Sequence, residues 1–412
     1  MFKSAAGPFA VFSVLLLMAQ PARAQEAAPA AVQPGAIDVA DLWKLVRKKP
    51  LDTAPAWDYH EKMKALAPVI GAKPSAGVMV GVAGNIAFFR GTPQTTNISS
   101  VVSSLTYSSK HQTALSARYT MFTNGNAWRI DGDNRAQWTS QDTYGLGTSS
   151  DVGAAVNAQF NWFRIHESAY RQLKPGVFAG IGLHVDVHTD IRPGADASET
   201  WDQTAFVQYS NANGLPLDRQ TSSGPSVSLL VDTRDSVIDP RGGWYGAANY
   251  RGLIKGFLGG STGWQLVHVE GRAYKPLTKD NRQRLAFWLF GDATFAGAVP
   301  YFDLPATTMD PFGRSGRGYG EGRFRGERLM YGEVEYRATL TRNGLLGMVG
   351  FLNATTITNL QADEHLFDNG APGAGAGLRL LLNKRSRTNL CFDVGFGKSG
   401  SHGVYLNVQE AF

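Results

Sequence analysis

The sequence predicts an all-β protein: a transmembrane, antiparallel, up-and-down β-barrel of sixteen strands with an inward-folded extracellular loop. Alternating apolar and polar segments of ten to fourteen residues recur from about residue 77 to the end. No stretch of 18 apolar residues follows residue 25, which argues against a transmembrane helix. Charged residues make up only 18% of the chain, aromatic residues make up 11%, and 47 residues are glycine. This composition in an exported chain fits a transmembrane barrel.

The first 24 residues have the pattern of a secretory signal peptide. Lys3 precedes an apolar segment at residues 8–18, and Ala22-Arg23-Ala24 forms a small-residue cleavage site. The apolar segment is too short to be a comfortable membrane anchor. Cys391 is the only cysteine, so an intrachain disulfide is excluded. We expect cleavage near Ala24 and a final location in the outer membrane of a Gram-negative cell.

Residues 25–75 are predicted to be a periplasmic linker that contains one short helix, and residues 76–412 are predicted to be the barrel. The linker starts with a segment rich in alanine, proline and glutamine. Residues 38–49 fit an amphipathic helix, with Asp38 as its cap and Pro50 as its stop. Two interpretations of Trp43 stay open: it lines a pore or lies at the membrane surface, or the helix is part of a mobile linker.

The length of the alternating segments distinguishes a barrel from a sandwich. A tilted membrane-spanning strand needs about 9–11 residues, whereas globular strands average about half that. Fifteen segments alternate clearly and one at 204–213 is weak; without the weak one, a fourteen-strand barrel becomes possible. The clear segments are 77–90, 98–109, 111–123, 126–139, 152–168, 176–189, 223–233, 242–254, 262–276, 283–297, 328–341, 345–356, 372–383, 387–398 and 403–412.

The connections in the last third of the chain alternate between short and long. The short ones are at 278–281, 342–344 and 384–386, and the long ones are at 298–327 and 357–371. Outer-membrane barrels have short turns on the periplasmic side and long loops outside the cell. This pattern predicts that the 298–327 connection is extracellular.

The end of that long loop is basic and rich in glycine, and it leads directly into an amphipathic strand. Glu333, Glu335 and Arg337 share one face of this strand, and apolar residues share the other. One interpretation is a mobile surface loop before an ordinary edge strand. The other is a loop that folds back into a polar lumen, where Arg317 finds a carboxylate on the wall.

Several motifs now resemble the BamA/TamA superfamily, which includes the bacterial surface antigens. Arg317-Gly318-Tyr319 resembles the family's inserted loop tip, and Phe392-Asp393-Val394-Gly395 resembles its penultimate-strand motif. Phe412 resembles the aromatic carboxy-terminal signal read by the barrel assembly machinery, although Glu410 interrupts the apolar alternation before it. The remaining motif is a DTRD…PRGG turn, of which the matching residues are Asp232, Arg234, Asp235, Pro240 and Gly243.

The resemblance implies a sixteen-stranded outer-membrane barrel in which Arg317 pairs with carboxylates on the lumen wall. Asp393 has the parity of a lumen residue, and Glu335 or Glu333 is a second candidate partner. The sequence departs from the family pattern in two ways. The segment before the barrel is too short for POTRA domains, which places the chain in the barrel-only branch. Asn353 stands where relatives often have aspartate.

Two functions are compatible with these features. The first is insertion or translocation of protein at the outer membrane, with a separate periplasmic partner protein. The second is a passive channel or structural surface antigen. An enzyme is not predicted: Gly259–Gly263 matches G-x-S-x-G but lacks the strand-to-helix context that a hydrolase needs.

The remaining histidines do not predict a metal site. His184, Asp186 and His188 share a strand face, and polar residues on one face are ordinary in a barrel lumen. We therefore expect no catalytic residue, no metal and no cofactor. We expect outer-membrane lipids as partners, and no nucleic acid, because no basic stripe with interleaved aromatic residues occurs.

Overall fold

The computed structural model describes residues 35–50, 58–73, 77–194, 197–311 and 313–412. Its main element is one antiparallel sheet of sixteen strands in which each strand pairs with its neighbour in the chain. This sheet curls into a nearly closed barrel, which confirms the predicted fold class. The strands are β1 Met63–Lys73, β2 Gly77–Phe88, β3 Ser99–Ser108, β4 Thr113–Phe122, β5 Trp128–Thr143, β6 Val156–Lys174, β7 Val177–Pro193, β8 Arg219–Asp232, β9 Gly243–Leu253, β10 Trp264–Pro276, β11 Gln283–Phe295, β12 Arg328–Thr339, β13 Leu346–Ile357, β14 Ala371–Asn383, β15 Thr388–Gly397 and β16 His402–Val408.

The predicted helix before the barrel is present as α1, Val39–Val46. Asp38 caps it: the Asp38 carboxylate accepts the backbone N–H of Asp41, and the Asp41 carboxylate accepts the backbone N–H of Asp38. This reciprocal arrangement satisfies two backbone donors that a helix terminus leaves free. Within the described ranges, no helix is long and apolar enough to cross a membrane. The predicted signal peptide lies outside the described residues.

The strand count of sixteen is correct, but one predicted strand was wrong and one real strand was missed. Residues 204–213 form helix α2, Ala205–Ala212, instead of a strand. The additional strand is β1, which lies inside the predicted linker, so the sheet begins at Met63 and not near residue 76. The alternation of polar and apolar residues did not predict β1 as a strand, because both faces of this strand are apolar. Ala65 and Ala67 point inward, and Leu66 points outward.

The outward face of the barrel is apolar. On β11, Phe287 and Leu289 are 41% and 54% exposed, whereas the alternate residues Trp288 and Phe290 are buried inside. The same alternation places Leu378 of β14 outside. A strand needs a lipid-facing and a lumen-facing side in a membrane, so this pattern is typical of a membrane-spanning barrel.

The sheet is not closed by a ladder between its first and last strands. β1 pairs with β2, β16 pairs with β15, and β1 lies beside β16. Apolar side chains fill this seam, where Val408 packs with Ala67 and Ala83. Hydrogen bonds between side chains add to the closure: Gln409 Nε2 donates to Ser100 Oγ at 2.6 Å. The seam is therefore held by side chains rather than by backbone hydrogen bonds.

The long loop between β11 and β12 folds inward and packs against helix α2. Phe302 of this loop has its ring centroid 5.2 Å from that of Phe206 on α2 and 4.4 Å from that of Phe160 on β6. Phe302 and Phe206 are fully buried. The end of the lumen on the side of the long loops is therefore filled by an apolar core, and this core positions the rest of the loop.

Candidate functional site

Arg317 lies inside the barrel and contacts three carboxylates. Its Nη1 is 2.9 Å from Asp393 Oδ2, and its Nη2 is 2.5 Å from Glu333 Oε1. The same Nη2 also pairs with Glu335. We call these four residues the Arg317 site. Their side chains are 0–2% exposed, so the pairs are shielded from solvent. Such charges are stable only when each has partners of opposite sign.

The two sides of the Arg317 site come from strands that are not adjacent. Glu333 and Glu335 lie on β12, and Asp393 lies on β15. Successive side chains of a strand face opposite sides of the sheet. The neighbouring residues Tyr336 and Phe392 are exposed on the outer face, so all three carboxylates face inward. Phe351 of β13 lies beneath the guanidinium, with its ring centroid 3.7 Å from Cζ. The tip of the loop therefore contacts the three strands β12, β13 and β15.

Two further arginines extend the network toward the end of the barrel that carries the short turns. Arg337 Nε is 2.5 Å from Glu335 Oε2, and Arg379 Nη1 is 2.5 Å from Asp393 Oδ1. Arg379 Nε also lies 2.8 Å from Glu410 Oε2. Glu335 and Asp393 thus each pair with a second arginine besides Arg317. These second pairs hold the two carboxylates in position independently of the loop.

Glycine residues allow the tip of the loop to lie directly on the strand backbone. Gly318 has a backbone φ of +111°, a conformation that residues with a side chain rarely adopt. A Cβ atom on Gly318 would lie 2.7 Å from the carbonyl carbon of Phe396, and one on Gly395 would lie 3.0 Å from that of Arg317. Neither glycine could carry a side chain without displacing the loop from β15.

Tyr319 completes the contacts of the tip. Its hydroxyl donates to the backbone oxygen of Pro372 at 2.5 Å and accepts the N–H of Lys398 at 2.8 Å. Gly318 N donates to the hydroxyl of Tyr405 at 2.9 Å. Tyr319 is buried. The Arg-Gly-Tyr tip is therefore bound through its side chains and its backbone.

Asn353, the residue where relatives often have aspartate, contacts the same tip. Its Nδ2 donates to the backbone oxygen of Arg317 at 3.0 Å and lies 3.5 Å from Glu333 Oε2. An ionised aspartate could not donate to a carbonyl oxygen, and it would add a negative charge beside Glu333. The amide therefore suits this position in this chain.

Sequence reasoning singled out Arg317 and missed the other loop arginines. Arg314 Nη1 donates to Gln409 O at 2.8 Å, and Arg325 Nη2 donates to Gln141 Oε1 at 2.8 Å. Arg323 Nη1 donates to Ser150 Oγ at 2.8 Å. All three are buried. The high arginine content of the loop was the available signal. Arg325 attaches the loop to β5, Arg323 attaches it to the β5–β6 connection, and Arg314 attaches it to the segment after β16.

The DTRD…PRGG motif forms the turn between β8 and β9. Asp232 accepts hydrogen bonds from Arg234 Nη2 and Arg129 Nη1, both at 2.7 Å. Asp235 accepts the backbone N–H of Arg241 at 2.8 Å. Gly243 has φ +88°, and a Cβ atom there would lie 2.2 Å from Thr233 O, so this position requires glycine.

This turn extends across the end of the lumen that carries the short turns. Arg387 Nη1, after β14, lies 2.9 Å from Asp235 Oδ2, and Ile238 packs with Met63 of β1 and Ala87 of β2. Pro240 is buried within the same turn. A cavity of about 420 Å³ remains beside it, lined in part by Arg284, Arg337, Arg379 and Glu410. This end of the lumen is thus narrowed but retains a polar space.

Phe412 lies inside the barrel, although its position in the sequence suggested the end of the last strand. Strand β16 ends at Val408, and Gln409 has φ +77°, which turns the chain inward. The ring centroid of Phe412 lies 5.2 Å from that of Trp288. Glu410, which interrupts the apolar alternation, pairs with Arg379. No feature of the sequence pattern predicted this inward turn.

Residues that were weighed in the sequence for a hydrolase motif or a metal site make hydrogen bonds within the barrel. Asp186 accepts from Arg164 Nε at 2.7 Å and lies 2.6 Å from His166 Nε2, and His184 lies 2.8 Å from Ser226 Oγ. Ser261 Oγ accepts the backbone N–H of Thr221 at 2.9 Å. In the part of the chain that the structure describes, no three His, Cys, Asp or Glu residues are grouped to hold a metal ion.

Comparison with protein families and solved structures gives consistent results. The model of the Omp85 superfamily domain matches residues 84–399. The crystal structure of BamA from Haemophilus ducreyi lacking POTRA domains 1–3 is similar to this chain, with a TM-score of 0.52 and 14% identity. The alignment covers 84% of this chain and 69% of that BamA chain. A comparison with curated proteins found no match.

Two structures of CdiB are similar to a comparable degree. CdiB from Acinetobacter baumannii gives a TM-score of 0.52 at 11% identity, and the alignment covers 84% of this chain and 59% of CdiB. CdiB from Escherichia coli gives 0.51 at 13%, with 87% and 63% covered. At these identities the similarity establishes the fold, and the chain spans less than two thirds of either CdiB chain.

Proposed function

The chain belongs to the Omp85 superfamily, and on that premise we propose that it inserts or translocates polypeptide at the Gram-negative outer membrane. The loop that carries Arg317 acts as a plug in the lumen. A separate periplasmic partner protein delivers the client, and the barrel assembly machinery inserts the chain itself. The observation that carries the proposal is the burial of Arg317 among three carboxylates.

The strength of this attachment supports a plug over a mobile loop. An exposed ion pair contributes about 0–1 kcal/mol, because water screens it. Removal of one partner from a buried pair costs about 3–5 kcal/mol, because the remaining charge stays buried. Arg317 and its partners are almost fully buried, so the larger figure applies. The loop therefore has a defined closed position in the lumen.

Conductance in a planar bilayer tests the plug. We would compare the wild type with Arg317→Ala and with a deletion of Gly313–Gly326. Arg192→Ala is a matched control, because Arg192 forms an exposed ion pair with Asp190. We expect a small or flickering current in the wild type and the control, and a large, steady current in the other two. Equal, open currents in all four proteins would instead indicate a passive channel.

Capture of a client tests the insertion or translocation activity itself. A photo-crosslinking amino acid would replace Leu66, which faces outward on the edge strand β1 at the seam, or Leu229, which faces outward on β8. The client would be a radiolabelled, newly synthesised outer-membrane barrel protein. We expect adducts from position 66 in clear excess over position 229. Equal yields from both positions would contradict engagement at the seam.

A further inference from the structure

Helix α1 directs its acidic side chains toward the barrel and its apolar side chains away from it. Asp38 and Asp41 are 7% and 6% exposed, whereas Trp43 and Val46 are 56% and 67% exposed. Leu42 is exposed as well. This arrangement is the reverse of that of a helix packed on a water-soluble domain, which buries its apolar side. It matches the barrel strands, whose polar side faces inward and whose apolar side faces lipid.

The buried aspartates attach α1 to two periplasmic turns. Asp38 Oδ2 accepts the backbone N–H of Lys384 at 3.1 Å, and Lys384 Nζ pairs with Asp41. Ile37 N donates to Asn343 O at 3.0 Å. Asp41 and Trp43 are two residues apart, which separates them by about 200° around the helix. Attachment through the aspartates therefore leaves Trp43 on the opposite side.

These turns lie where the apolar outer surface of the barrel ends. Leu378 faces outward on β14, and the strand continues to Asn383, next to the Lys384 that holds α1. On β1, Leu66 is 74% exposed only three positions from the periplasmic start of the strand. Asn383 Nδ2 donates to Lys64 O of β1 at 3.4 Å, so α1 is attached near the seam, at the level where this apolar surface ends.

Three basic residues come directly after helix α1 in the sequence. Arg47, Lys48 and Lys49 are all exposed, and the Arg47 guanidinium lies 4.4 Å from the centroid of the Trp43 ring. Tryptophan is enriched at the membrane–water interface, and basic residues beside it are attracted to anionic headgroups. A helix with this composition lies in the interface plane.

We infer that α1 is an interfacial helix that binds the phospholipid of the periplasmic leaflet beside the barrel seam. Its apolar side chains enter the boundary between headgroups and acyl chains, and Arg47, Lys48 and Lys49 contact anionic headgroups. The barrel is thereby fixed to the membrane at the edge where β1 begins. This inference depends on the outer-membrane location and not on the proposed client activity.

Nitroxide accessibility in a bilayer tests the inference. The full chain would be reconstituted in phosphatidylethanolamine vesicles with phosphatidylglycerol, after labelling of Trp43→Cys or Val46→Cys. Cys391 is fully buried, so unsubstituted protein measures background labelling. Collision with oxygen reports lipid, and collision with a nickel chelate reports water. Leu378→Cys is the lipid reference, and Lys279→Cys, in an exposed periplasmic turn, is the water reference.

We expect labels at positions 43 and 46 to collide with oxygen as Leu378→Cys does, and to lose nickel collisions relative to Lys279→Cys. The expected depth is about 5–10 Å below the headgroup plane. Nickel collisions equal to those of Lys279→Cys would overturn the inference, because α1 would then lie in water. Protection from both reagents would also overturn it, because α1 would then pack on protein, in the lumen or on a second copy.

The lipid composition provides a second measurement. In vesicles of phosphatidylcholine alone, the nickel collisions at position 43 should rise, because the headgroup attraction of the basic residues is lost. Arg47→Glu/Lys48→Glu should cause the same rise in anionic vesicles. No change in either arm, together with water-like values throughout, would contradict a membrane contact of α1.

Discussion

The backbone oxygen of Phe412 accepts a hydrogen bond from Arg337 Nη2 at 3.2 Å, and the Arg337 guanidinium lies over the Phe412 ring with Cζ 4.9 Å from its centroid. Arg337 also pairs with Glu335, which contacts Arg317. One arginine therefore connects Phe412 to the loop tip, and both belong to one buried network.

We expect Phe412→Ala to destabilise the folded barrel by about 3–5 kcal/mol, as is usual for the loss of a buried phenylalanine ring. The ring is 4% exposed and packs against Trp288. Urea unfolding of protein refolded in detergent, followed by its gel mobility, would measure the loss without the assembly machinery. The control is Phe287→Ala on the outer face. Equal destabilisation by both substitutions would contradict a specific role of the inward turn.

A side chain at position 318 should release the loop tip from β15. In Gly318→Val the new atoms would meet Phe396 and the backbone would be strained at φ +111°. Gly320→Val is the matched control, because a Cβ atom there has no neighbour within 4 Å. We expect a larger and steadier bilayer current for Gly318→Val and a wild-type current for Gly320→Val. A wild-type current in both variants would show that close contact of the tip with β15 is dispensable.

The parts of the structure that sequence predicted are those with a strict period of two. In β12, polar and apolar residues alternate from Glu333 onward, and in β15 the apolar residues on either side of Asp393 share the opposite face. The inward direction of Glu333, Glu335 and Asp393 therefore followed from parity. The length of the segments excluded a sandwich. Glu333 and Glu335 of the Arg317 site share strand β12. The resemblance of Arg317-Gly318-Tyr319 to the family's inserted loop tip predicted that Arg317 pairs with them.

The parts that the sequence could not predict either lack a difference in polarity between the two faces of a strand or depend on contacts between residues that are distant in the chain. The inner face of β1 carries alanines at 65 and 67, so its alternation is apolar on both faces. Helix α2 is stabilised by packing of Phe206 on Phe302, nearly a hundred residues away. Arg314 donates to the backbone oxygens of Val408 and Gln409, and Arg379 pairs with Glu410, so the inward turn at Gln409 depends on residues distant in the chain.

Asp303, in the loop between β11 and β12, gives a prediction about pH. Burial and the nearby Asp186 carboxylate raise the pKa of Asp303 well above its ordinary value of 3.8. The folded state thus binds a proton that the unfolded chain releases, and this carboxyl group destabilises the fold as pH rises above about 4. We expect Asp303→Asn to stabilise the barrel at neutral pH and to remove part of the loss of stability with rising pH.

Urea unfolding of wild type and Asp303→Asn at pH values between 4 and 8 would measure this difference. Ser222 Oγ donates to Asp303 Oδ2 at 2.5 Å, and an asparagine oxygen can accept the same hydrogen bond. Asp363→Asn is the control, because the side chain of Asp363 is 97% exposed. If the stability difference between Asp303→Asn and wild type were independent of pH, the raised pKa would be contradicted.

A tether across the seam should block client engagement without changing the plug. Ser100 and Gln409 are hydrogen-bonded on the lumen side, where β3 meets the end of β16. A Ser100→Cys/Gln409→Cys pair in a Cys391→Ala background would be joined by a reducible dithiol reagent. Because the described residues of β1 and β16 share no backbone ladder, opening of the seam would separate these two positions. We expect the tether to abolish client adducts at position 66, and reduction to restore them.

The matched control is a Ser104→Cys/Ser116→Cys pair, whose native hydroxyl groups lie 2.8 Å apart on the paired strands β3 and β4. A tether there restrains strands that already share a ladder, so client adducts should persist. The bilayer current should stay at its wild-type level in both tethered proteins, because neither pair contacts the Arg317 site. Client adducts that survive the seam tether would mean that polypeptide engages the barrel without separation of β1 from β16.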